Sequence, residues 1–119
     1  MTTTTELDRA TAIELVEGYV QAVREATVKH YTTRFPTLQV PMVYAELGRR
    51  FARIVQENGQ RTVHAFVDLT NGDVIKAAGW KAPQKDKDGL AVRYHLADDE
   101  DRARCYAAID PYGRYLYKR

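Results

Sequence analysis

Three aromatic rings and three cations are the residues of this chain best suited to surface chemistry: Phe51, Phe66 and Trp80 with Arg53, Lys76 and Lys81. Rings on the face of a sheet stack on nucleobases at roughly 1–3 kcal/mol each while neighbouring cations hold phosphates, so the set suits single-stranded nucleic acid or a nucleotide. The same rings would also form a second hydrophobic cluster beneath the tyrosine-rich C-terminal tail and the strand expected at residues 90–96. Trp80 decides between the two readings. It follows Gly79 and precedes Lys81, at the mouth of residues 81–89 (KAPQKDKDG), which read as a mobile loop.

Other reactive side chains do not assemble into a site. His30, His64 and His95 fall on three different elements without helical metal-ligand spacing, and a single cysteine leaves zinc short of ligands, so no metal or cofactor is expected. Cys105 beside His95 is the one conceivable nucleophile and base, and a half-buried helix cysteine is by far the better account of it. Asp98, Asp99, Glu100 and Asp101 lack the glycine that would wrap a loop around an ion, and they suit a helix start. No glycine-rich phosphate loop occurs, and no enzyme activity is expected.

The aromatic and cationic residues need a sheet to display them, and residues 49–83 read as a three-stranded antiparallel meander with two Asn-Gly turns. A two-residue Asn58-Gly59 turn sets Ile54 opposite Val63, Ala52 opposite Ala65 and Phe51 opposite Phe66. For the second turn, a three-residue Thr70-Asn71-Gly72 loop pairs Val67 with Ile75 and Ala65 with Ala77. This choice keeps Lys76 out of the apolar face, since a one-residue slip exchanges every side chain between faces. One face then carries Ala52, Ile54, Val63, Ala65, Val67, Leu69, Ile75 and Ala77, and is the core. The other carries Arg49, Phe51, Arg53, Val55, His64, Phe66, Asp68, Val74, Lys76, Ala78 and Trp80.

A long amphipathic helix over residues 6–31 covers the core face, with Thr5 as its cap and Leu15, Val16, Tyr19, Val20, Val23, Ala26 and Tyr31 at helical spacing. At about 39 Å it outruns three short strands, so it overhangs or bends near Gly18, and an overhang invites a homodimer through this helix. Residues 42–47 read as a short edge strand. Residues 90–96 alternate as a half-buried strand, a short helix follows to about Ile109, and Asp110-Pro111-Tyr112-Gly113 is a turn signature before a tail laid extended over the second face.

With 119 residues the chain has the size of one domain, 1–119. Its apolar runs are too short to cross a bilayer, its Thr-rich start is unlike a signal peptide, and one cysteine suits a reducing compartment. Residues 49–93 hold nine Lys/Arg against five Asp/Glu, whereas residues 1–48 are net acidic and residues 94–119 balanced. That excess suggests an anionic partner without the dense basic stripe of a committed nucleic-acid binder.

Arg49-Arg50-Phe51, the strand Val63-His64-Ala65-Phe66-Val67-Asp68 and above all GDVIKAAGWKAP at residues 72–83 resemble a group of small bacteriophage proteins of unknown function. That group commonly has Ser at the place of Gly79 and ends with an element similar to Pro111-Tyr112-Gly113. The resemblance covers about a third of the chain and carries no catalytic residue. It implies a phage gene product acting in the bacterial host cytoplasm.

The resulting expectation is an α+β domain: a long N-terminal helix packed on an antiparallel meander of three to five strands, then a short C-terminal helix and an extended tail. The expected function is that of a non-enzymatic phage accessory protein that binds a host protein or nucleic acid, perturbing a host process. The runners-up are a nucleotide-binding protein that sequesters a small signalling molecule and a minor structural protein.

Overall fold

Asp8 opens the first helix. Its carboxylate accepts from the Thr11 backbone N–H at 2.8 Å and caps α1, Arg9–Arg34. The computed structural model describes residues 7–117, so the expected Thr5 cap lies outside the described residues. Ala12, Val16, Tyr19, Val20, Val23 and Thr27 form the buried stripe of α1, at the spacing of one helical face. Beyond Thr27 no residue of α1 is buried, and the backbone leaves helical geometry at Phe35, just before Pro36.

The main sheet is antiparallel, with five strands: β1 (Met42–Leu47), β2 (Phe51–Glu57), β3 (Arg61–Asp68), β4 (Asp73–Ile75) and β7 (Val92–His95), in that order. Both meander hairpins differ in register from the expected one. The first turn holds three residues, Asn58 to Gln60, with Gly59 at φ +82°, so Glu57 faces Arg61 and Val55 faces Val63. A bulge then inserts His64, after which Ile54 faces Ala65 and Arg53 faces Phe66. His64 and Val63 thereby exchange faces: His64 turns towards α1, and Val63 lies on the far side with Val55.

The second turn takes four residues, Leu69 to Gly72, closed by a 2.7 Å bond from Gly72 N–H to the Asp68 carbonyl. Val67 therefore pairs with Val74, and Phe66 with Ile75. Val74 joins the core under α1 in place of Ile75. Ile75 is just as buried, on the opposite face. Both residues are apolar and β-branched, so their pattern alone left that one-residue difference open.

Residues 76–91 leave the sheet and fold back over the second face. Ala77 bridges to Pro83, Ala78 N–H bonds the Ala82 carbonyl, and β5 (Lys85–Asp86) pairs with β6 (Gly89–Leu90), where a mobile loop was expected. Buried Ala91 ties the excursion down, donating to the Gln84 carbonyl and accepting from Lys76 N–H. The single strand expected at residues 90–96 is broken there.

Helix α2, Asp99–Ala108, is capped by Asp98, and its Tyr106 hydroxyl approaches Gly18 so closely that a Cβ there would lie 2.9 Å away. Cys105 is fully buried, not half-buried. The tail is not extended over the second face. The Asp110 carboxylate accepts from the backbone N–H groups of Tyr112, Arg114 and Tyr115, and Arg114–Leu116 form a single 3-10 turn. Leu116 is thereby buried in the core beneath α1. Among the described residues no helix is long and apolar enough to cross a membrane.

Candidate functional site

Trp80 sits in the turn between Ala78 and Ala82, half-buried and folded down onto β2 and β3. Two guanidiniums meet its ring, Arg53 with Cζ 4.5 Å from the centroid and Arg61 at 4.8 Å. Arg53 also donates from Nε to the Trp80 carbonyl at 2.8 Å and lies 5.7 Å over the Phe66 ring, its cross-strand neighbour. Phe51, half-buried, meets Phe66 edge-on at 6.4 Å and carries Arg50 over its own ring at 4.9 Å. Phe51, Arg53, Phe66 and Trp80 are therefore brought together, as expected from the residue types.

The other two cations are not part of the cluster. Lys76 donates from Nζ to Gln84 Oε1 at 2.8 Å and lies 4.5 Å over the Tyr117 ring, a consequence of the four-residue turn upstream. Lys81 is exposed. Arg61 takes their place, and the sequence reading missed it. Without the His64 bulge and the longer first turn, Arg61 would point towards α1. The signal that could have found it is charge: with three residues in that turn, Arg61 faces Glu57, and the opposed pair stabilises the register.

Glu46 on β1 organises the two guanidiniums. Its Oε1 accepts from Arg53 at 3.0 Å, and its Oε2 accepts from Arg61. Arg61 Nε also donates to the Tyr44 hydroxyl at 3.1 Å, and Tyr44 donates to Glu57 Oε1 at 2.6 Å. That carboxylate bond, with burial, pushes the Tyr44 hydroxyl above its ordinary pKa and keeps it a neutral donor. Two cations and two carboxylates thus balance across the face. It presents an aromatic ring and planar guanidiniums held in place, with little net charge.

On the helix side the bulge delivers His64 to a buried polar chain. His64 Nε2 and the Tyr115 hydroxyl are 2.7 Å apart, and the Tyr115 and Tyr19 hydroxyls 2.5 Å. Burial lowers the His64 pKa to about 4, partly opposed by Asp110, and among the described residues its Nδ1 has no hydrogen-bond partner. His30 and His95 lie far apart in the fold: His30 meets Tyr112 at 2.9 Å near the end of α1, and His95 Nδ1 meets Asp73 at 2.6 Å beside β4. No group of three His, Cys, Asp or Glu with metal-binding geometry occurs among the described residues.

The model of a family of unknown function, DUF7717, matches residues 2–118, and the chain belongs to that family. No curated protein and no solved structure matches it.

Proposed function

We propose that this member of a family of unknown function is a non-enzymatic phage accessory protein that acts in the host cytoplasm by binding a host protein through the Trp80 face, so inhibiting a host process. The observation that carries this reading is the pairing of both arginines at Trp80 with Glu46. A polyanion gains from cations that are otherwise paired only with water and small ions. Here each guanidinium already has an internal carboxylate, and Lys76 is engaged elsewhere. Protein interfaces, in contrast, draw most of their energy from Trp, Tyr and Arg held rigidly against a partner. Trp80, Arg53, Arg61 and Tyr44 make such a set. The phage setting and the host partner rest on the sequence resemblance around residues 72–83.

Trp80 is the only tryptophan, so its emission reports directly on the site. Immobilised full-length chain should retain a bacterial protein from lysate, and a Trp80→Ala chain with an unchanged circular dichroism spectrum should not. Retention by both chains, or by neither, overturns the reading. Titration of Trp80 emission with single-stranded DNA and RNA at two salt concentrations tests the nucleic-acid alternative, because binding that falls steeply with salt would replace the protein partner by a polyanion. Saturable quenching by a mononucleotide would favour the nucleotide-sequestering alternative.

A further inference from the structure

Strand β1 is an edge, and the hydrogen-bond parity of its hairpin defines which backbone groups it leaves open. Gly48 N–H bonds the Phe51 carbonyl at 2.9 Å, so Glu46, Tyr44 and Met42 bond to β2 while Leu47, Ala45 and Val43 turn their N–H and C=O outwards. The far side of β2 agrees, since the Arg50 carbonyl accepts from Leu69 of the next strand. Among the described residues, only the ends of this open edge are covered. Arg24 donates to the Val43 carbonyl at 2.7 Å, and Arg9 donates to the Gly48 and Arg49 carbonyls. Between these ends lies a cleft of about 450 Å³ lined by Ile13, Val20, Ala45 and Leu47 together with Glu17 and Arg24. Met42 is 61% exposed and Leu47 47%.

We infer that this edge pairs with the same edge of a second copy, making a two-fold dimer whose sheet runs continuously through both chains. The edge is complementary to itself. With Ala45 on the axis, Ala45 meets Ala45 of the second copy and Val43 meets its Leu47, and each of these pairs exchanges both bonds because all three residues face outwards. Helix α1 packs on β1 and so travels with it. Arg24 lies level with Val43 and Arg9 level with Gly48. The axis therefore sets the Arg24 end of each helix across from the N-terminal half of the other, which carries Glu14, Glu17 and an Arg9 held on its own Gly48 and Arg49 carbonyls. Opposite charges meet, and the Ile13 and Leu47 side chains close over each other's cleft. A carbonyl has two lone pairs, so Arg24 can remain on Val43. The axis also sets Tyr44 across from the other copy's Glu46 at the rim of the Trp80 face, but the inference rests on the β1 edge and not on the reading of that face as a binding site.

Ala45→Pro is the sharpest test. Proline is tolerated on an edge strand where the lost N–H points away from the neighbouring strand, so the monomer fold survives while both central bonds of the dimer are removed. Wild type should sediment at high micromolar concentration with twice the 13.6 kDa chain mass, and Ala45→Pro as the monomer. A monomeric wild type, or an Ala45→Pro chain that still dimerises, overturns the inference. Amide exchange of the wild-type chain decides independently of how the variant folds. The Val43, Ala45 and Leu47 amides should gain protection as concentration rises, and rapid exchange at every concentration sinks the proposal.

Discussion

Arg53 holds Trp80 at two points: its guanidinium carbon lies 4.5 Å from the indole centroid and its Nε donates to the Trp80 carbonyl at 2.8 Å. One side chain thus fixes both the ring and the turn that carries it. Replacing Arg53 by Met keeps the apolar stem and removes the charge and the donor. Cation–π contact and one hydrogen bond together contribute about 1–3 kcal/mol. Arg53→Met should lower the melting temperature accordingly and shift Trp80 emission to longer wavelength. An unchanged emission maximum would show that other contacts position the ring.

Trp80→Ala removes a ring that is half-buried and lies over Arg53 and Arg61, not one enclosed in a core. The expected cost is about 1–2 kcal/mol, below the roughly 3–5 kcal/mol typical of a fully buried aromatic. Chemical denaturation measures it. A loss at the upper figure would make Trp80 a core residue and remove the basis for a surface site.

Stability should rise with pH between about 4 and 6.5 because of His64. Burial lowers its folded pKa from 6.5 to about 4, so in this window the unfolded chain binds a proton that the folded chain does not. The contribution is complete above 6.5 and is lost as pH falls towards 4, amounting to roughly 3 kcal/mol over the whole shift. His64→Gln retains a polar partner for Tyr115 and should flatten the dependence. If denaturation of the variant at pH 4.5 and pH 7, roughly the ends of this window, keeps the wild-type difference, another group is responsible.

The His64 bulge can be tested by moving a charge along one strand. Val67 is fully buried beneath α1, so Val67→Asp places an unpaired carboxylate in the core, at a cost of several kcal/mol and loss of the cooperative melt. Val63 lies before the bulge, half-exposed on the far face, and Val63→Asp should cost only about 1 kcal/mol. Equal damage from both substitutions would return Val63 to the helix side and refute the bulge.

What the sequence determined by itself follows from short-range rules. Helical spacing of Val16, Tyr19, Val20 and Val23 marks the face of α1. Asn58-Gly59 and Asn71-Gly72 mark reversals, Pro36 marks a stop, and Asp98 or Asp99 marks a start. Each signal acts within a few residues, so the α+β architecture and the placement of Arg53, Phe66 and Trp80 on one face were legible. Register was not. Turn lengths of three and four residues and a bulge at His64 differ from the expected turns and unbulged ladder by single residues, and Val63, Val74 and Ile75 are apolar enough to serve on either face. Tertiary structure settled them through long-range partners: Tyr115 and Tyr19 receive His64, Glu46 gathers Arg53 and Arg61, and Leu15 packs 3.1 Å from where a Cβ on Gly72 would stand. Apart from Glu46 and Arg53, 7 residues apart across one hairpin, those partners are separated by 15 to 96 residues of chain, beyond the reach of any periodicity or turn rule.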